Sequence, residues 1–338
     1  MNKKLLFIFL GFLSLPMLAQ KADFASMNFK KADAVAKQYK GASLESLPVL
    51  SYNLTNTLTT DVEKYRAIYL WVCTNIENDY YAYVKNKSAR NRFAKDSLKL
   101  AIWNKDFTKK TFKKLLKEKK TICTGYAYLI KELANLADIK CEIIDGYGRI
   151  GNDNIGKLSM LNHSWNAVQL NNKWYLCDAT WSSGIYDLNT YEFEFDYNDG
   201  YFLTDPNLFV KNHYPINTKW ILTETIIPIT DFLNGSIVYA DAFKKDIIPF
   251  QPESLEIKAK LNQEIIFLLM EKHPVDIKNI NLEVSSGKYK NVSKPIINRT
   301  KEGFLEVKHK FENRGTYDFH IKLNDDYLVT YIIKVKKK

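Results

Sequence analysis

The apolar residues of this chain change their period once, and that change limits the possible folds more than any other feature. From Asp23 to Gln38 and again from Asp61 to Asp79 they recur at helical spacing, and Thr59-Thr60-Asp61 with Glu63 beyond reads as a helix N-cap region. Lys109 to Lys120 reads as a short basic helix or loop. Beyond it Tyr126, Leu129, Ile130 and Leu133 share one helical face through about Leu136, so Cys123 opens a helix. After Ile139 strand signals take over. Ile139 to Tyr147 is β-rich, and His163 to Leu170 and Trp174 to Thr180 are two strands separated by Asn171-Asn172, a two-residue turn of the kind that tolerates positive φ. A helical region followed by an antiparallel sheet gives an α+β fold.

From Leu255 onward the pattern is nearly all strand: Leu255 to Leu261, Ile265 to Met270, Ile280 to Val284, Phe304 to Phe311, Tyr317 to Leu323 and Tyr327 to Val335. Six strands in about eighty residues predict an immunoglobulin-like β-sandwich over 253–338. The N-terminus reads as a secretory signal peptide over 1–19: Lys3-Lys4, then an apolar run from Leu5 to Leu18, shorter than the roughly 20 residues of a bilayer-spanning helix. No Cys ends that run to take a lipid anchor, so a periplasmic or secreted protein without a membrane span is expected. The 319 residues after the leader suit two folded units, and a hydrophobic content of 46% suffices for their cores. The divisions expected are a helical segment over 20–60, a central domain over 61–252 and the terminal sandwich.

The net charge of +11 is unevenly placed: between Lys85 and Lys120 fourteen Lys or Arg face only Asp96, Asp106 and Glu118. Segment 85–120 is a candidate surface for an acidic envelope component, weighed against an ordinary solvated helical face. It lacks regularly spaced aromatic platforms, so nucleic acid is not an expected partner. The cysteines, Cys73, Cys123, Cys141 and Cys177, have neither zinc-site spacing nor the density of a disulfide scaffold. Cys73 lies on the apolar stripe with Tyr65, Ile68, Tyr69, Val72 and Ile76 and is expected in the core. A Cys141–Cys177 disulfide stays open.

A thiol becomes a nucleophile when its proton is easily lost, and a helix N-terminus with a neighbouring imidazolium favours this; Cys123 has the first and His163 offers the second. With Asn171-Asn172 as the turn, Leu170 pairs with Lys173, Trp165 lies opposite Asp178, and His163 opposite Thr180. His163 and Asp178 then share a face as diagonal neighbours, about 7–8 Å apart in backbone, while Cys177 faces away. The expected catalytic residues are Cys123 as nucleophile, His163 as base and Asp178 as its orienting carboxylate. His213 is expected to support packing, with a cleft position open to it; Tyr126, Trp165 and Trp181 are expected as groove wall or core, and Trp103 is a weaker candidate for an oxyanion donor.

Cys123-Thr124-Gly125-Tyr126-Ala127, His163-Ser164-Trp165 and Asp178-Ala179-Thr180-Trp181 together resemble the three-part motif of the transglutaminase-like superfamily. The run Tyr201-Phe202-Leu203, Pro206, Phe209, His213-Tyr214-Pro215, Trp220 and Pro228-Ile229-Thr230-Asp231-Phe232 is further similar to its kyphoscoliosis-peptidase branch. The resemblance covers about Glu63 to Pro252. It implies a papain-like core with helices packed on an antiparallel sheet, and acyl transfer from peptide or carboxamide bonds through a thioester. The acidic calcium sites of eukaryotic transglutaminases and the paired-Cys zinc motifs of the peptide N-glycanases have no counterpart here, so no cofactor or metal is expected. A peptidase or amidase acting on a polypeptide is the favoured reading; a protein-glutamine transglutaminase and a non-catalytic envelope-binding scaffold are the alternatives.

Overall fold

The computed structural model describes residues 21–149, 153–187 and 189–337; the leader read over 1–19 lies outside the described residues. Helices α1 (Lys30–Gln38) and α2 (Leu47–Thr55) pack against the central helix α3 (Asp61–Asn75). α3 begins at a capping box: Glu63 N–H donates to the Thr60 hydroxyl, while the Glu63 carboxylate accepts from the Thr60 N–H. Burial of Tyr65, Ile68, Tyr69, Val72 and Cys73 holds it in the core, where Cys73 falls as the stripe predicts. Arg66, buried, ties α3 to its surroundings, its Nε donating to Asp33 Oδ1 at 2.7 Å and its Nη1 reaching Asp199.

Two short parallel strands, β1 (Glu77–Asn78) and β2 (Lys120–Thr121), close off a helical pair, α4 (Tyr80–Arg92) and α5 (Ser97–Glu118). The basic segment is thus mostly one 22-residue helix, α5, where the sequence suggests a short helix or loop from Lys109. α6 (Cys123–Asn135) follows and packs on a four-stranded antiparallel sheet ordered β5-β4-β3-β8, made of β3 (Cys141–Gly148), β4 (His163–Leu170), β5 (Lys173–Cys177) and β8 (His213–Pro215). The β4–β5 hairpin has the predicted register, Leu170 against Lys173 through Asn166 against Cys177, around Asn171 and Asn172 at φ 50° and 62°. β5 nevertheless ends at Cys177, three residues short of the expected Thr180. Asp178 caps a short helix, α7 (Ala179–Ser183), and its carboxylate takes the N–H groups a strand would have used. A small hairpin, β6 (Gly184–Asp187) and β7 (Glu192–Phe195), follows.

The C-terminal region is a strand-rich sandwich, as the alternation predicts. One sheet is ordered β10-β12-β16-β15, and the other β11-β18-β17-β13-β14 with β9 on β18. These are β9 (Ile237–Val238), β10 (Ile247–Gln251), β11 (Glu256–Lys260), β12 (Glu264–Glu271), β13 (Ile280–Ser286), β14 (Tyr289–Ser293), β15 (Ile296–Arg299), β16 (Phe304–Lys310), β17 (Gly315–Leu323) and β18 (Asp326–Lys336). The sandwich draws in β9 and β10 from before residue 253. Its core is continuous with the back of the central sheet: Trp165, Leu176, Tyr201 and Phe209 belong to the same apolar cluster as Phe267, Phe319 and Tyr331. Among the described residues no helix is long and apolar enough to cross a membrane.

Candidate active site

The β1–β2 ladder sets the position of the thiol. Asp79 N–H donates to Thr121 O at 2.7 Å, which pins the start of α4 beside the residues that lead into α6. Cys123 is then the first residue of α6, with Ile122 as N-cap, so its backbone N–H belongs to the helix turn that has no intrahelical acceptor. Gly125 is required there by close approach: a Cβ on it would lie 1.9 Å from Thr121 Oγ1 and 2.8 Å from Thr121 Cβ. Because Thr121 is β-branched and held in β2, it has little room to yield. Gly125→Ala should therefore destabilise the fold by about 1–3 kcal/mol, read as a lower urea midpoint at unchanged m-value.

His163 begins β4 and Asp178 follows β5, and the hairpin brings them into contact: His163 Nε2 lies 2.7 Å from Asp178 Oδ2. Cys123 lines the same cleft as His163 and lies close enough to favour the charged form of its imidazole. Trp181 stacks on the ring at 4.7 Å between centroids and an interplanar angle of 22°. Asp178 is fully buried and its four acceptor positions are filled. Oδ1 takes the Thr180 and Trp181 N–H groups at 2.8 and 3.3 Å, and Oδ2 takes His163 at 2.7 Å and His213 at 3.0 Å. Burial opposes the charge on Asp178, but His163 and then His213 outweigh it and hold the carboxyl well below the usual carboxylate range. Burial likewise opposes a charged His163; Asp178, followed by Cys123, pushes it up to about 10.

The structure thus brings Cys123, His163 and Asp178 together and adds a residue the sequence reading assigns to packing. His213, on β8, is 1% exposed and bonded to Asp178; it reaches the site because β3 pairs with both β4 and β8, Gly146 opposite His163 and Gly148 opposite His213. His163, Asp178 and His213 could also present one ligand atom each to an ion, all within 4.8 Å. Both imidazoles, however, meet the same carboxylate oxygen at hydrogen-bond distance, and an ion would have to displace those bonds. Trp103 is not an oxyanion donor: its indole N–H donates to Asn86 Oδ1 at 3.0 Å and its ring stacks on Phe107 within α5. Tyr126 and Trp165 are core, with the Tyr126 hydroxyl on Ile76 O. All the cysteines are free, so Cys141 and Cys177 form no disulfide, and Cys177 faces away from His163 against the Tyr65 hydroxyl.

The thiol and imidazole open onto a cleft of about 310 Å³ walled by α4, α5 and the segment before β4, with Tyr83, Arg90, Phe107, Thr124 and Asn162 among its lining. Lys87 pairs with Asp153 across it at 2.5 Å, and Arg90 Nη1 donates to Leu161 O at 2.8 Å.

A thiol at a helix start, sharing a cleft with an imidazole that is bonded to a buried carboxylate, is the arrangement that the three-part motif leads one to expect. Residues 49–179 match the model of the transglutaminase-like superfamily. Kyphoscoliosis peptidase from Homo sapiens and from Mus musculus are each 32% identical over 232 residues, covering 68% of this chain and 32% of theirs. Hillarin from Drosophila melanogaster is 26% identical over 232 residues, covering 64% of this chain and 26% of its own. The chain belongs to the transglutaminase-like superfamily, on the branch of kyphoscoliosis peptidase. It spans about a third of the length of the kyphoscoliosis peptidases it matches.

Proposed function

We propose that this chain is an exported thiol acyl-transfer enzyme, a peptidase or amidase working through Cys123, His163 and Asp178. The observation that carries the reading is the His163 ring bonded to Asp178 Oδ2 at 2.7 Å and lining one open cleft together with Cys123. The thiol proton passes to His163. The thiolate sulfur attacks the carbonyl carbon, forming the C–S bond and an oxyanion that the Cys123 N–H stabilises. Collapse breaks the C–N bond as the His163 imidazolium gives its proton to the leaving nitrogen, leaving a thioester. Water then attacks with His163 as base, the C–S bond breaks, and the acid and free thiol are released. The N-terminal apolar run supports export to the periplasm or beyond. The test is incubation with a peptide library and a labelled primary amine, read by mass spectrometry. Cleavage or deamidation is expected; amine incorporation would make the chain a transglutaminase, and no product would leave the scaffold reading.

The basic segment 85–120 forms one wall of that same cleft, because α4 and α5 both line it. We propose that it recruits an acidic polypeptide. Exposed charges are screened beyond about 8 Å at physiological ionic strength. Binding of an acidic peptide to the Cys123→Ala protein should therefore weaken steeply between low and physiological salt in a calorimetric titration, and salt-independent binding would reduce the segment to a solvated surface.

A further inference from the structure

His213 is a buried titratable group for which the acyl-transfer steps have no use, and its surroundings are built rather than incidental. Phe209 stacks on one face at 4.0 Å between centroids, Trp181 lies at 4.3 Å and Trp165 meets its edge at 5.1 Å. The titratable groups that face it are Asp178, His163 at 5.3 Å between ring centroids, and the Tyr201 phenol ring at 6.2 Å. Its Nδ1 lies 2.7 Å from Asn212 Oδ1, and a flip of that carboxamide puts its NH2 donor in the same place. Asp178 offers no such choice, since an ionised carboxylate only accepts, so the ring proton sits on Nε2. Burial, outweighing the pull of Asp178, keeps the ring neutral by pushing it down to about 4.

We infer that His213 is a positioning residue: as a neutral imidazole it supplies the second donor to Asp178 Oδ2 and thereby fixes the carboxylate plane that orients His163. The terminal torsion of an Asp is soft, and the two backbone N–H groups anchor Oδ1 alone. Without His213 the other oxygen has His163 as its one anchor, and the pair can swing together away from Cys123. With His213 held by Phe209, Trp165 and Trp181, Oδ2 has a fixed point independent of His163. Neutrality is part of the role. A cation at His213 would share the Asp178 charge and loosen the imidazolium that the thiolate needs.

This inference rests on the thiol-enzyme reading, yet its test does not require turnover. In protein carrying ¹⁵N-labelled histidine, the His163 Nε2–H should give a slowly exchanging, far-downfield proton signal. His213→Phe should shift or broaden that signal and lower kcat roughly tenfold to 100-fold at little changed KM, the scale of a misoriented catalytic group. His213→Gln keeps an uncharged donor of similar reach and should regain most of both. His213→Leu replaces Phe if that variant does not fold, and thermal unfolding is measured for each. A His163 signal unchanged in the apolar variant, or one lost equally in the Gln variant, would overturn the assignment and leave His213 a packing residue. Whether wild-type Cys123 is alkylated rapidly at neutral pH judges the enzyme reading separately.

Discussion

Cys123→Ala should reduce turnover to background, because it removes the one thiol among the residues lining the cleft. His163→Ala leaves the thiol at the start of α6 but removes both the base and the acid that protonates the leaving nitrogen. Its loss should be nearly as large, on the scale of about 10²–10⁴-fold for general acid–base assistance. Asp178→Asn keeps the shape of the carboxylate and its Oδ1 bonds to Thr180 and Trp181 while removing the charge, so a smaller loss follows. The three act as a unit, and the Cys123→Ala/His163→Ala double variant should be no worse than Cys123→Ala alone. Cys177→Ser is the internal control, since its sulfur lies against Tyr65 and Asn166 O on the opposite side of the sheet. Steady-state rates on whichever peptide the library identifies would check the series. Retained activity in Cys123→Ala with loss in Cys177→Ser would move the nucleophile.

Much of the site was legible because it depends on short-range order. One helix start and one hairpin parity place Cys123, His163 and Asp178, and the turn at Asn171-Asn172 fixes that parity with only two residues of freedom. The parity survives even though β5 ends early, because Asp178 is the residue just past the last pair and turns its side chain back to cap α7. His213 was not legible as a site residue. It lies thirty-five positions from Asp178 and reaches it through the β3–β8 pairing, which no local pattern announces. The long helix α5 was missed for a different reason: Thr111 and Leu115 are its only buried residues, so it has almost no apolar stripe to read. In the sandwich, the six strands with buried alternation were all visible. β14, exposed along nearly its whole length, the four-residue β15, and β9 and β10, which precede residue 253, were not.

The pH dependence of Asp178→Asn should separate its charge from its shape. Burial disfavours a charged His163, and Asp178 is the foremost group that reverses this and pushes it up to about 10. A raised histidine contributes stability that is fully present below the ordinary pKa of about 6.5 and is lost as pH rises through the folded value. Asp178, held low, contributes stability present above the ordinary carboxylate pKa of about 3.9 and lost as pH falls through its own folded value. Between neutrality and about pH 10 the wild-type site therefore keeps both the imidazolium and the carboxylate. On an amide substrate kcat/KM should hold through this range and fall only near its upper end, where His163 loses the proton it gives to the leaving nitrogen. In Asp178→Asn that alkaline limb should slide toward the ordinary histidine range, so that the deficit against wild type grows as pH rises from about 6 to 9. Burial would then act on His163 with Cys123 as the remaining group that opposes it, which makes the slide larger than loss of a surface partner would give. A deficit constant across that range would mean that Asp178 acts by geometry only, and the electrostatic half of its role would have to be given up.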